Sequence, residues 1–354
     1  MPFDPLSPPS MLTADLPGIG GRIKHVPEDF EVEEIPAYEP SGSGDYLYLW
    51  VEKREVGAEY FVRQVARRLG LSVGDIGTAG LKDRHAVTRQ LVSVPARAIA
   101  DPYRIEGDGI RLLKVGRHSN KLRPGHLHGN RFRILVRDVV PEAAERLGPV
   151  LDRLRLEGLP NYYGPQRFGR QGETVTLGFS LLRSQRTAGR GLGINPFLRK
   201  LALSAAQSAL FNHYLDRRRA DGLLRQVLAG DVMARWPAGG MFTTDDAARE
   251  QARFDARELV HAGPIFGRKT FAAAAEAAAR EADVLDDAGL SAAAFQGFGK
   301  LLLGTRRHNL VYIADLSAAP EEEGVRLLFT LPAGSYATVL LREIMKNDIA
   351  EPEE

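Results

Sequence analysis

The chain has 354 residues, 44% of them apolar, which supports a sizeable core and is long for one domain, so two compact units are expected. It contains no cysteine, which excludes disulfides, zinc–thiolate centres and thiol catalysis and agrees with a reducing cytoplasm. The formal net charge of +2 hides an asymmetry: residues 53–137 carry 18 Lys or Arg against 7 Asp or Glu, whereas residues 201–354 carry 17 against 22. A basic field of that kind attracts a polyanion by neutralising phosphates and releasing counterions, so a nucleic acid is the natural partner.

The first 21 residues hold Asp4, Asp15, several prolines and no Lys or Arg, a pattern of neither a secretory leader nor a membrane span. Gly21 to Ile35 alternates polar with apolar residues (Ile23, Val26, Phe30, Val32, Ile35) and reads as a strand that Pro27 interrupts. A second strand, Tyr46 to Glu52, follows the Ser41-Gly42-Ser43-Gly44 turn. Ala58 to Leu69 is an amphipathic helix with Phe61, Val62, Val65, Ala66 and Leu69 on one face and Gly70 as its stop. Further strands are expected at Val87 to Val94, Ile110 to Val115 and Arg131 to Val136. Such an order favours a mixed sheet over a doubly wound nucleotide fold.

Between the helix and the third strand lies Gly77-Thr78-Ala79-Gly80-Leu81-Lys82-Asp83-Arg84-His85-Ala86-Val87-Thr88-Arg89-Gln90. One carboxylate, Asp83, stands here among three potential cations, the environment that favours the ionised form a nucleophile or general base requires. Gly77 and Gly80 are expected to let the chain turn sharply before the charged residues. The same run also fits a solvated surface turn.

Downstream, Lys114, Arg117, Lys121 and Arg123 accompany His118 in a segment that reads as a phosphate-holding loop. His126 and His128 have strand spacing, but no cysteine or nearby carboxylate completes a metal site, and they read as hydrogen-bonded or exposed histidines. Pro141 to Leu156 is an amphipathic helix closed by Gly158. It leads into Asn161-Tyr162-Tyr163-Gly164-Pro165-Gln166-Arg167-Phe168-Gly169, where rings beside an amide suit either a flipped base or a buried aromatic turn. The Gly189-Arg190-Gly191-Leu192-Gly193 run lacks a phosphate-loop Lys-Ser or Lys-Thr and reads as a hinge. Helices follow at Asn195 to Arg219 and Phe271 to Asp287, then a strand at Val325 to Leu331, a turn at Pro332 to Ser335 and a helix at Tyr336 to Lys346. Residues 187–310 therefore read as an insertion in a discontinuous domain formed by 1–186 and 311–354, and the acidic tail is expected to fray.

Four segments resemble, in order and spacing, the TruD family of pseudouridine synthases: Arg22 to Phe30, Ala79 to Gln90, Asn161 to Gly169 and Leu331 to Glu343. The resemblance implies an α/β protein of the α+β type, with a largely antiparallel mixed sheet in the catalytic domain and an inserted family-specific α/β domain. It implies a cytoplasmic enzyme acting on transfer RNA, at the uridine of position 13 in the D arm of certain tRNAs; nothing leaves in that isomerisation, so no cofactor and no metal are expected, and with no obligate protein partner evident a monomer is expected, the oligomeric state being open. Asp83 is then the catalytic carboxylate, acting as nucleophile or as proton-transfer group, and Lys24 its basic partner. Phe30, Asn161, Tyr163 and Tyr336 match residues at the target base, with Tyr163 and Tyr336 standing where phenylalanine is usual. Lys82, Arg84, Arg89, Lys121, Arg123 and Arg167 are the expected phosphate contacts. The competing classes are a non-catalytic RNA-binding protein on the same fold and a metal-dependent RNA hydrolase, which would need convergent metal ligands.

Overall fold

Alternation and capping place the elements close to where the sequence suggests. The computed structural model describes residues 3–184 and 194–347; the Gly189–Gly193 hinge and the acidic tail lie outside the described residues. In chain order the first elements are β1 (Gly20–Arg22), β2 (Phe30–Pro36), β3 (Tyr46–Arg54), α1 (Ala58–Leu69), β4 (Gly77–Thr78), β5 (Val87–Pro95), β6 (Ile110–His118), β7 (Leu127–Val139) and α2 (Ala143–Glu157). The middle of the chain forms β8 (Leu159–Pro160), α3 (Glu173–Ser184), α4 (Pro196–Ala220), β9 (Val232–Arg235), β10 (Met241–Thr243), α5 (Ala247–Asp255), β11 (Leu259–Ile265), α6 (Ala275–Asp287), β12 (Thr305–His308) and β13 (Leu310–Val311). The chain closes with β14 (Ser317–Glu321), β15 (Gly324–Pro332) and α7 (Ala337–Met345).

Contacts group the chain into two units, one formed by Thr13–Leu156 and the chain from Ile313 onward, the other by the residues up to Leu12 and Glu157–Tyr312. The first unit is built on a sheet of order β14-β15-β7-β2-β5-β3-β6, with β1 added to β7 and β4 to β5. Among the described residues its one parallel pair is β2 with β5; all other neighbours are antiparallel. Leu47, Leu49 and Val51 of β3 point to the face that α1 covers with Phe61, Val65, Ala66 and Leu69. Period-two alternation on the strand thus meets period-3.6 spacing on the helix, and burial of both apolar faces drives their association. Gly70 ends α1 in the left-handed region at φ 67°, as its stop signal requires.

The second unit holds a four-stranded sheet, β10-β9-β11-β12, and a two-stranded pair, β13 with β8. Its central rod is α4, buried along Leu203, Ala206, Leu210 and Phe211. Asn195 caps it by accepting a hydrogen bond from the Phe197 amide. α3 packs on α4 at Gly178, where a Cβ would collide with the Ala202 carbonyl. Because α3 and β8 belong to this unit, it begins earlier than the stretch 187–310 that composition sets apart.

Two local expectations change. Lys114, Arg117 and His118 lie on β6, whose pairing with β3 runs through His118, so the basic loop shortens to the residues after it. The Ala-rich helix starts at Ala275, and Phe271 stays outside it as an exposed ring.

Candidate active site

Residues 80–83 make no main-chain-to-main-chain hydrogen bond among the described residues. Neither Gly77 nor Gly80 takes a positive φ. Gly77 is needed for a different reason from the expected turn: a Cβ there would collide with the Ser93 hydroxyl and the Leu122 carbonyl, so it permits the close β4–β5 approach. What holds the segment is a set of three lysine ammonium groups.

Lys24 supplies the first. It sits between β1 and β2 at φ 60°, a left-handed conformation uncommon for lysine. Its Nζ lies 3.4 Å from Asp83 Oδ1 and 4.5 Å from the centroid of the Phe30 ring. Phe30 is buried, with its ring edge-on to Phe132 at 6.2 Å, and Phe132 stacks on Phe329 at 5.0 Å. The Asp83 side chain remains 48% exposed, so it keeps access to a substrate while its cation and an aromatic wall are fixed beside it.

Lys82 supplies the second, and not as expected. Its Nζ is buried 2.8 Å from Glu34 Oε2 on β2, and Glu34 Oε1 accepts the Leu91 amide. A cation held there is unavailable to a phosphate, and its partner is needed because an unpaired buried charge is costly. It pins the chain immediately before Asp83 to the sheet.

Lys53 supplies the third. It is 1% exposed and donates to three carbonyls, those of Val56 at 2.6 Å, Asp83 at 2.8 Å and Lys82 at 3.3 Å. Burial pushes its pKa down to about 8; the Asp83 charge opposes that fall and Lys82 adds to it. Nothing in the motifs singles out Lys53. The signal was its phase: it follows Leu47, Leu49 and Val51 on the core-facing side of β3, a place for an apolar residue.

The remaining expected phosphate contacts divide. Arg89 is committed to carboxylates, with Nε 2.9 Å from Glu52 and Nη1 within 4 Å of both Glu31 and Glu33. These residues share one face because β2, β3 and β5 are in register there. Lys121 donates to the Gly74 carbonyl. Arg84 and Arg123 are exposed. His126 Nδ1 is 2.6 Å from the Tyr38 hydroxyl, and His128 is exposed. Tyr336, half-buried, is the residue from which α7 starts. Among the described residues no group of three or more His, Asp or Glu side chains could hold a metal ion, and no helix is long and apolar enough to cross a membrane.

Asn161, Tyr163 and Arg167 belong to the second unit. Asn161 Oδ1 accepts from Arg307 Nη2 at 2.7 Å and its Nδ2 donates to the His308 carbonyl at 2.9 Å. Arg307 then lies over the Tyr163 ring, 4.1 Å from its centroid, and Arg167 sits 5.6 Å from the same ring. Asn212 of α4 satisfies both main-chain groups of Tyr163, at 2.8 and 3.0 Å, while Ser204 and Ser208 receive Arg167. The aromatic segment is therefore a cation-backed ring on a rigid helix, and Arg307, which no motif pointed to, is part of it.

Behind it stands a buried relay. The Asn161 amide donates to the Asn309 carbonyl, and Asn309 Nδ2 donates to His261 Nδ1, whose Nε2 donates to the Leu224 carbonyl. Burial, and then the neighbouring Arg218, push the His261 pKa down to about 3. The unfolded chain takes up that proton near 6.5, so it binds more protons than the folded protein between these values. Stability should fall as pH drops from about 6.5 towards about 3. We expect His261→Gln to lose less stability than the wild type between pH 7 and pH 4, measured as the shift in urea midpoint; equal shifts would count against this account.

The family profile described as tRNA pseudouridine synthase D (TruD) matches residues 9–189 and 185–344. A protein of Anaeromyxobacter dehalogenans (strain 2CP-1) named tRNA pseudouridine synthase D is 45% identical over 345 residues, spanning 97% of this chain and 98% of its own. One of the same name from Thermus thermophilus is 42% identical over 336 residues, spanning 95% and 91%. A crystal structure from Methanosarcina mazei, also described as tRNA pseudouridine synthase D, superposes with a TM-score of 0.76 at 25% identity and 97% coverage of both chains.

Proposed function

The chain belongs to the tRNA pseudouridine synthase D family, and we propose that it isomerises uridine to pseudouridine at position 13 in the D arm of certain tRNAs, with Asp83 as the reacting carboxylate. The observation that supports this most directly is the half-exposed Asp83 carboxylate 3.4 Å from Lys24 and beside the Phe30 ring.

The reaction breaks the bond from ribose C1′ to uracil N1 and forms one from C1′ to C5; C5 loses a proton and N1 gains one, so the composition of the RNA is unchanged. A carboxylate serves at two points. It either attacks C1′ as the base leaves and is displaced when C5 bonds to C1′, or takes a proton from the ribose as the base leaves and returns it when C5 bonds there; free again, it removes the C5 proton while N1 takes one up. Lys24 orients the carboxylate and compensates its charge as RNA phosphates approach. Phe30 gives the uracil an apolar wall, and Tyr336 of the same unit offers a ring face for stacking. The target uridine has to leave its stack to reach Asp83. The family-specific insertion, read from the sequence at 187–310, falls within the second unit, and recognising the shape of a folded RNA is its proposed role.

The deciding experiment maps pseudouridine at single-nucleotide resolution in a tRNA pool treated with the purified protein. Conversion of a D-arm uridine without added metal is expected; binding without conversion of any uridine would instead make this an RNA-binding protein. As phosphate contacts, exposed Arg84 and Arg123 are better candidates than Lys82 and Arg89, which are tied to carboxylates. Replacing both arginines with glutamine should reduce the slope of log affinity against log salt by about 1.5 to 2. An unchanged slope would remove them from the RNA footprint.

A further inference from the structure

The residue that reacts sits on a segment the main chain does not hold. Among the described residues, Gly80 to Asp83 forms no hydrogen bond with another main-chain group, and the carbonyls of Lys82 and Asp83 both go to Lys53. The third acceptor of that ammonium is the carbonyl of Val56, next to Gly57, the residue that caps α1. Three protons meet three carbonyls on the covered face of β3, so Lys53 ties the loop at once to the sheet and to the first turn of the helix.

We propose that Lys53 is a positioning residue for the isomerisation: its protonated amine fixes the peptide of Asp83 and thereby aims the carboxylate at the ribose. The inference rests on Asp83 being the reacting group. A neutral amine has two N–H donors for three carbonyls and turns a lone pair towards one of them, which leaves a buried acceptor unsatisfied and frees the loop. An apolar side chain of the same length leaves all three unsatisfied. Displacement of a reacting atom by about 1 Å is enough to cost about 100-fold in rate.

The charged surroundings are few. Asp83 and Lys82 come from the loop, Lys24 from the connection before β2, and Glu34 from β2, where it is occupied by Lys82. The residue opposite on β5 is the uncharged Thr88, and the buried face of α1 carries no titratable side chain. Burial therefore dominates and brings the titration of Lys53 to about 8. The unfolded chain keeps the Lys53 proton to higher pH than the folded protein does, so as the pH rises above about 8 the cost of burying an ammonium is progressively relieved and stability rises. Rate and stability should move in opposite directions.

The experiment measures single-turnover conversion of a tRNA transcript between pH 6.5 and 9 for the wild type, Lys53→Met, Lys53→Arg and Asp83→Asn, with RNA affinity and melting temperature of each. Above pH 8 the wild-type rate should fall about tenfold per unit while its melting temperature does not fall. Lys53→Met should be about 100-fold slower at pH 7 with affinity within threefold, and should lack the limb above pH 8. Lys53→Arg, which stays charged throughout, should lack it too. Ionisation of the uracil imide is common to all variants and cannot remove the limb selectively. Should Lys53→Met fail to fold, the wild-type profile and Lys53→Arg decide the matter. A Met variant within threefold of the wild-type rate, or a limb that persists in either variant, overturns the proposal. If Asp83→Asn is inactive while Lys53→Met is active, only Lys53 loses its role; if Asp83→Asn retains the wild-type rate, both readings fall.

Discussion

Asp83→Asn should convert uridine at least about 10⁴-fold more slowly than the wild type while binding tRNA within threefold of it. Asparagine keeps the volume and leaves an oxygen that can accept from Lys24 at the present 3.4 Å. The main-chain carbonyl that Lys53 holds is untouched, and so is the Lys82–Glu34 pair. Only the charge and the basicity disappear, and those are the two properties that attack on C1′ and removal of the C5 proton share. Single-turnover kinetics with pseudouridine mapped at nucleotide resolution measure the effect. A residual rate above about one hundredth of the wild type would mean that another group performs the chemistry and that Asp83 belongs to a charged surface.

Asp231→Ala should destabilise the second unit by about 3–5 kcal/mol. Arg218 is fully buried near the end of α4, and its guanidinium meets both Asp231 oxygens, at 2.8 and 2.6 Å. It also donates to the Tyr214 hydroxyl and to the carbonyls of Leu223 and Gln226. Removing the carboxylate leaves a cation without compensation and takes away the acceptor of the Leu228 amide. The same helix carries Ser204, Ser208 and Asn212, which hold Arg167 and Tyr163, so a loosened α4 disturbs the aromatic segment as well. Urea unfolding followed by circular dichroism measures the loss. The double change Asp231→Leu with Arg218→Met should recover part of it, because two apolar groups leave no orphaned charge. A single variant that loses less than about 1 kcal/mol would show that water or another carboxylate reaches Arg218.

Local order was legible because local physics encodes it. Alternation marked the core faces of β2, β3, β5 and β7. The spacing of Phe61, Val65 and Leu69 with Gly70 behind them marked α1 and its stop, and Asn195 with Pro196 marked the start of α4. Of the residues that the resemblance singled out, Asp83, Lys24 and Phe30 are brought together by the fold of the first unit, while Asn161 and Tyr163 belong to the second. The charge count showed an excess of basic residues in the chain on either side of Asp83, but could not say which of these cations face outward.

That assignment depends on strand order and register, which join residues far apart in the chain. Lys82 meets Glu34 from 48 residues away because β2 runs beside β5, and Arg89 meets Glu31, Glu33 and Glu52 because three strands share one register. Lys53 is one more cation in the charge count until its strand packs against α1 and its ammonium meets three carbonyls. The sequence by itself determined the family, the longer strands and helices of the first unit with α4 of the second, and the candidate for the reacting carboxylate. Only the tertiary structure decided which charges are buried and paired and which remain on the surface, because the cost of desolvating a charge is set by neighbours that the chain brings together on folding.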